Sequence, residues 1–413
     1  MKKNNMHRAF VYLVDNLSSS FVINDIKILA NSFDSISIFA TQKTEIPNDL
    51  PENVKVSQEY LKWERFSPKN VLFRNLFSIF QIYISECFQS KKILKPIPAI
   101  ALIASNKFKA DCLLDALNRN KINYKGAIFY SFWFYDCIYL AMIKRRSRSS
   151  TVIVRAHGGD LFEYRVTLQN RILLRHFQLE YIDFLFSVSD AGTNYLQQKY
   201  PKHKEKIATS RLGTYNHGLS PFAPNDEFVI VSCAHIRHQK RVHKIAKTLL
   251  QCHRRIKWYH IGSENSHPND PKREEYIYYK ELLKKSPNIT YIPLGALNNV
   301  EVINFYKNNH VDLFVSLSAF EGVPVSIMEA ISFGIPVLST DVGGCNEIVN
   351  EQTGQLIPLN TPTAEIASII ERIASSNINT LEFRRGVRAF WQNNFEIEMN
   401  YKELFDILEM HPH

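Results

Sequence analysis

The 413-residue sequence contains no Asp-x-Asp, no Cys-x-x-Cys and no uncharged apolar run of the roughly 18 residues needed to span a bilayer. The first absence removes the paired carboxylates that hold a divalent ion. The 14 histidines show no ligand spacing either, so no metal is expected. The six cysteines, at 87, 112, 137, 233, 252 and 345, are scattered, which excludes a zinc or disulfide framework and suits a reducing compartment. The apolar run in MKKNNMHRAFVYLVD is short and ends at Asp15, so no signal peptide is expected and the chain reads as cytoplasmic.

Acids are scarce in one region. Between Tyr60 and Ser150 there are 16 Lys and Arg against 5 Asp and Glu, while the remainder carries 34 against 35. The same region holds VLFRNLFSIFQIYISECF (71 to 88), KKILKPIPAIALIA (91 to 104) and YSFWFYDCIYLAMIKRRSR (130 to 148). Basic residues flanking apolar and aromatic runs suit peripheral contact with an anionic membrane. They equally suit core helices with solvated basic ends, and the sequence leaves both readings open. No nucleic-acid motif accompanies the charge, so no nucleic acid is expected.

The composition, 45% hydrophobic and 22% charged, is that of a globular protein, and the length suits two domains. Strand-like and helix-like stretches alternate: AFVYLVD (9 to 15), SFVINDIKILANSF (20 to 33), SISIFAT (35 to 41), GAIFYSF (126 to 132) and STVIVRAHG (150 to 158). YIDFLFSVSDAGTNYLQQKY (181 to 200) reads as strand, Ser-Asp cap and helix. SPFAPNDE (220 to 227) breaks the pattern, which restarts with FVIVSCAH (228 to 235) and continues through IPVLSTD (335 to 341). The expected architecture is α/β, with two Rossmann-like doubly wound domains facing a central cleft. The expected division is 1–219, a linker at 220–227, a second domain at 228–380, and C-terminal helices at 381–413 packing back toward the first domain. SENSHPNDPKREE (263 to 275) reads as a polar loop.

The densest signal is VDLFVSLSAFEGVPVSIMEAISFGIPVLSTDVGGCNEIV, from Val311. A buried strand ends at Ser318, and a loop carries Glu321 and Gly322. Pro324 suits a helix start, Gly334 a helix end, and Pro336 forbids continuation. Loop and helix amides at a strand's carboxyl end attract an anion such as pyrophosphate. Glu321 and Glu329 would repel that phosphate. They are suited instead to vicinal sugar hydroxyls, Glu329 to a ribose and Glu321 to a second sugar.

EGVPVSIMEAISFGIPVLSTDVGGCNEIV closely resembles the donor signature of family 4 retaining glycosyltransferases of the GT-B fold, a Glu-x7-Glu motif with a trailing glycine-rich turn. The resemblance implies that Glu329 holds the nucleotide ribose, and that Glu321 with Gly322, Val323, Pro324 and Val325 contacts the donor sugar. VSCAHIRHQKRVHKIAKTL is similar to the family's diphosphate-binding segment: Lys240 stands at its lysine, while His235 occupies its arginine position. Arg237, Arg241 or the helix N-terminus is the candidate replacement. VIVRAHGGDLFEYR resembles the acceptor-side segment, which assigns His157 to the donor sugar and places Arg155, Gly158 and Asp160 on the acceptor side. SVSDAGTNYL and RLGTYNHG resemble the entry to the cleft. The glycine-rich turn usual after the first strand is replaced by DNLSSSFVINDI.

The resemblance implies a retaining, metal-independent glycosyltransferase of the hexosyltransferase class. Its donor would be a UDP- or GDP-sugar. Its acceptor would be a glycan or a polyprenyl-diphosphate-linked oligosaccharide of a surface polysaccharide (O-antigen, capsule or exopolysaccharide). The catalytic set is His157, Lys240 and Glu321; the nucleotide sugar is a substrate, and no cofactor is expected. The expected location is the inner face of the plasma membrane, peripherally bound. Two alternatives share the pocket: a nucleotide-sugar epimerase, and a catalytically silent nucleotide-sugar-binding protein favoured by the histidine at position 235.

Overall fold

The computed structural model describes residues 8–17, 19–57, 68–167, 171–223, 226–264 and 268–410. Ser18 of the serine-rich turn, the start of the basic region, part of the 220–227 segment and part of the 263–275 loop therefore lie outside the described residues.

The chain forms two compact units. The first takes residues up to Arg211 together with Tyr401 onward. Its seven strands are β1 (Phe10–Val14), β2 (Ile36–Ala40), β3 (Val54–Ser57), β4 (Ile128–Ser131), β5 (Thr151–Ala156), β6 (Phe184–Ser187) and β7 (Ile207–Thr209). They lie in the order β3-β2-β1-β4-β5-β6-β7, and every pairing is parallel. All five residues of β1 are buried, as expected of a sheet covered on both faces. The helices are α1 (Ser20–Ala30), α2 (Pro68–Ser90), α3 (Pro96–Arg119), α4 (Ile138–Arg146), α5 (Glu163–Thr167), α6 (Arg175–Tyr181) and α7 (Asp190–Lys199). The expected cap before α7 is present, with Gly192 N–H donating to Ser189 Oγ at 3.1 Å. The aromatic run after β4 is core: Phe132, Phe134, Tyr139, Leu140 and Ile143 are fully buried.

The second unit takes Leu212–Asn400. Its strands are β8 (Phe228–Cys233), β9 (Ile256–Ile261), β10 (Ile289–Gly295), β11 (Leu313–Ser316), β12 (Val337–Thr340) and β13 (Gly354–Ile357). They follow the order β10-β9-β8-β11-β12-β13, all parallel. The helices are α8 (Val242–Leu249), α9 (Arg273–Leu283), α10 (Asn299–Asn308), α11 (Val325–Ser332), α12 (Cys345–Ile348), α13 (Thr363–Ala374) and α14 (Leu381–Phe395), while α15 (Ile397–Met410) starts in this unit and belongs to the first from Tyr401 onward. The end of the polar segment 263–275 is the start of α9. Gly334 (φ 72°) closes α11, where its left-handed backbone costs a glycine nothing.

The division falls after Arg211, not after residue 219. Residues 212–223 run with the second unit: Ser220 N–H donates to the Phe333 carbonyl at 3.1 Å, and Ala223 N–H to His310 Nδ1 at 3.1 Å. The two C-terminal helices behave differently. In α14, Arg384 is buried and donates to the Val311 carbonyl and Ser220 Oγ, within the second unit. Tyr401, in α15, is buried in the first.

Candidate active site

In each sheet the strand order reverses beside the first strand of the unit, and ligands of open α/β sheets bind at the carboxyl ends at such a reversal. In the second unit the reversal lies between β8 and β11. The loop 234–241 after β8 and the loop 317–324 after β11 meet there through three neighbouring contacts. Ala319 N–H donates to the Gln239 carbonyl at 2.7 Å, and Arg241 Nε to the Leu317 carbonyl at 2.5 Å. Between them, Lys240 Nζ donates to both carboxylate oxygens of Glu321, at 2.7 Å each. Arg241 is left-handed (φ 48°), an unfavourable conformation for a residue with a side chain, and its guanidinium also donates twice to the Leu359 carbonyl. It locks the turn that presents Lys240, so Arg241 is committed to the scaffold. Arg237 is exposed, and its guanidinium makes no hydrogen bond or ion pair among the described residues; His235 is also exposed.

Gly343 and Gly344 brace the Glu321 loop from the other side. A Cβ on Gly343 (φ 61°) would stand 2.1 Å from the Glu321 carbonyl oxygen, and Gly344 N–H donates to the Gly322 carbonyl at 2.7 Å. Pro324 is the N-cap of α11, one residue earlier than a first-turn position, and its carbonyl accepts from Ile327 and Met328 N–H. The first amides of α11 lack intrahelical partners and lie directly after Gly322 and Val323, which suits them to an anion.

Glu329 is 6% exposed on α11. Burial pushes its carboxyl up to about 7, against a smaller lowering by Asn299, whose Nδ2 donates to Oε1 at 2.6 Å. The neighbouring Cys233 thiol, pushed up to about 12, and the Tyr306 hydroxyl, well above its usual value, are both neutral. Among the described residues no cation compensates this carboxylate. Sequence reasoning missed Asn299, although its place was marked: Asn298 and Glu301 form a capping box at the start of α10.

In the first unit the reversal lies between β1 and β4. His157 follows β5, with its ring against Phe132 (4.5 Å between centroids) and Trp133 (4.6 Å). Burial, and then the Arg155 charge, lower its pKa to about 3, so the ring is neutral. Its Nε2 lies 3.0 Å from the Phe132 carbonyl, which requires the proton on that nitrogen and leaves Nδ1 as an acceptor. The Gly158 carbonyl accepts from Arg165 Nη1 at 3.1 Å.

Asp160 and Arg155 are placed differently from the acceptor-facing positions expected of them. Asp160 is 1% exposed and uses both oxygens to hold backbone, Oδ1 accepting from His157 N–H at 2.7 Å and Oδ2 from Phe134 N–H at 2.6 Å. Burial pushes its carboxyl up to about 6. It therefore shapes the loop that carries His157. Arg155 is fully buried: Nη2 donates to Ser210 Oγ at 3.1 Å, Nε lies 3.8 Å from Asp25 Oδ1, and the guanidinium stacks over Tyr401 at 4.7 Å. Asp25 in turn accepts from the hydroxyls of Tyr12 (2.8 Å), Tyr130 (3.0 Å) and Tyr401. A cavity of about 400 Å³ opens on the segment after β4, lined by Leu102, Lys109, Tyr135, Asp136, Arg171 and Gln178 among others. Among the described residues, no three His, Cys, Asp or Glu side chains gather as a metal site.

Residues 220–387 match the family described as Glycosyl transferases group 1. The putative colanic acid biosynthesis glycosyltransferase WcaL of Escherichia coli K12 is 26% identical over 275 residues, covering 62% of this chain and 65% of WcaL. The amylovoran biosynthesis glycosyltransferase AmsK of Erwinia amylovora is 29% identical over 121 residues, covering 28% of this chain and 30% of AmsK. Each match thus spans less than two thirds of the relative's own length. Anabaena HepE, solved in complex with UDP and glucose, superposes with a TM-score of 0.68 at 14% identity over 98% of this chain and 100% of that one. Residues 220–387, which carry Lys240, Glu321 and Glu329, thus match the glycosyl transferases group 1 family, and the chain shares the GT-B fold of the solved structures.

Proposed function

We propose that this protein is a retaining, metal-independent glycosyltransferase that moves a sugar from a nucleoside-diphosphate donor to a hydroxyl of a surface-polysaccharide acceptor. The observation that carries the reading is Glu329. A buried carboxyl with one hydrogen bond and no cation lowers stability, and its missing partners match the vicinal hydroxyls of a ribose. Lys240 and the first amides of α11 lie on the same edge of the sheet, suited to a diphosphate. Lys240 then leaves its ion pair in part, and Glu321 is free to accept from hydroxyls of the donor sugar. Same-face attack by the acceptor hydroxyl accompanies departure of the diphosphate. Charge stabilisation of that leaving group is the main catalytic demand. His157, neutral and accepting at Nδ1, orients a sugar hydroxyl and does not act as an acid.

HepE was solved with UDP and with UDP-glucose, which favours a uridine nucleotide; a GDP-sugar is the other candidate. The WcaL and AmsK likenesses favour a surface-polysaccharide acceptor, and the amphipathic cavity beside Asp136 and Arg171 suits a lipid-linked one. Such an acceptor puts the protein in peripheral contact with an anionic membrane.

The test incubates the protein with UDP- and GDP-sugars, with and without EDTA, beside lipid-linked and free glycan acceptors, and reads the anomeric configuration of the product by NMR. Retained configuration in EDTA is expected. Nucleotide-sugar binding without turnover favours the silent binding protein, and epimerised donor without an acceptor favours the epimerase.

A further inference from the structure

α2 is apolar on two faces. Ile79 and Ile82 point into the core, together with Glu86, whose carboxylate accepts from Phe177 N–H at 2.8 Å and His176 N–H at 3.3 Å. On the opposite side Phe77, Phe80, Ile84 and Phe88 recur at spacings of three, four and four, one stripe of a helix, and are 77%, 44%, 59% and 84% exposed. With Gln81 and Ser85 they line a shallow groove. The stripe continues past the helix end into Ile93 and Ile97, 92% and 82% exposed. A solvated helix face ordinarily carries charge, and this one carries four large apolar side chains instead.

Along the segment that carries the stripe, the exposed charge has one sign, and the exposed acid near it, Glu180, comes from α6 beside Gln81 and Ser85. Lys91, Lys92 and Lys95 are exposed in the turn between α2 and α3, and residues 68–98 contain a single acid, the buried Glu86. Exposed phenylalanines beside lysines, with no exposed acid on the same segment, fit the boundary of an anionic bilayer, where the rings enter the acyl region and the ammonium groups stay with the headgroups. No helix among the described residues is long and apolar enough to cross a membrane, so the contact is a surface one.

We infer that the outer face of α2 and the turn following it, Phe77 to Ile97, form the docking surface for an anionic membrane. This gives a place to the membrane contact proposed above and rests on that contact. None of these side chains belongs to the donor site built from Lys240, Glu321 and Glu329, so their loss leaves donor binding intact.

The experiment is vesicle co-sedimentation at low salt with the full chain, comparing phosphatidylcholine vesicles with vesicles containing phosphatidylglycerol. Wild type is expected to bind only the anionic vesicles. Phe77→Ser with Phe88→Ser should weaken binding at least about tenfold. Reversing Lys91, Lys92 and Lys95 to Glu should weaken it by about 100-fold or more, from about fivefold per lost cation. UDP-sugar affinity, measured on the same samples, should be unchanged and certifies that the variants are folded. Wild type that ignores anionic vesicles overturns the membrane contact itself. Wild-type binding that survives both sets of substitutions overturns the assignment to α2 and leaves the membrane contact standing. Sedimentation that shows a wild-type dimer and a monomeric Phe77/Phe88 variant, with no vesicle binding by either, identifies the stripe as a self-association surface and also overturns the inference.

Discussion

Glu329→Gln should improve stability and impair binding for one reason. With a folded-state value of about 7 against an ordinary 4.5, the carboxyl is held protonated by burial, and ionising it at higher pH costs stability. The sign follows: the contribution is most favourable below the unfolded value and is lost as pH rises from about 4.5 through about 7. The shift amounts to about 3 kcal/mol at pH 8 and about 1 kcal/mol at pH 5. Glutamine keeps the shape and can still bond Asn299 without the charge. The variant should therefore gain up to about 3 kcal/mol in urea unfolding at pH 8, shrinking toward pH 5.

Nucleotide binding should run the opposite way. Hydroxyl donation requires the carboxylate, so the wild-type dissociation constant for a UDP-sugar should fall about tenfold between pH 6 and pH 8, following the ionised fraction of a group with a value near 7. A UDP-sugar is the right probe because its phosphates do not titrate in that range. The difference between wild type and Glu329→Gln isolates the contribution of this one carboxyl. Calorimetric titration at pH 6, 7 and 8 gives the answer. Equal pH dependence in both proteins, or a variant less stable than wild type at pH 8, would refute the account of this carboxyl.

Lys240→Ala should lower kcat/KM by about 10²–10³ through lost leaving-group stabilisation, while changing stability by less than about 1 kcal/mol, because the pair is partly solvated. Glu321→Ala should reduce transfer more than nucleotide affinity, as read from kcat and from calorimetric binding; parallel loss in both sinks the division of roles between the glutamates. Gly343→Ala must displace the Glu321 carbonyl and hold a left-handed backbone, and should cost about 10² in kcat/KM together with a lowered melting temperature. Asp25→Asn leaves Arg155 buried without its counter-charge and should cost about 3–5 kcal/mol in urea unfolding, with UDP-sugar affinity retained.

Local patterns in the sequence were enough for the parallel sheets, for the Ser189 cap, and for the neighbourhood of Glu321 with its glycine turn. Each rests on residues close along the chain. Short strands such as β3, β7 and β13 left no usable period. The Lys240–Glu321 contact joins residues 81 apart, and only the family resemblance put both at one site. Arg155 and Asp160 were placed on the acceptor side by the family resemblance of their segment alone. Nothing local announced that Asp25, Tyr12, Tyr130 and Tyr401 converge around the arginine, or that Asp160 spends both oxygens on backbone. The basic region was ambiguous because α2 has both a core face and an exposed apolar one.

The Tyr401 contact has a consequence for synthesis. The first unit is discontinuous in sequence, and its buried arginine is covered by an aromatic ring that leaves the ribosome only after Leu212–Asn400 has been made. The N-terminal sheet can assemble early, but its interior stays open until nearly the whole chain has emerged. During that interval the polypeptide carries a half-sealed sheet and the apolar stripe of α2, a state that a chaperone or a nearby bilayer would hold more readily than free solution does.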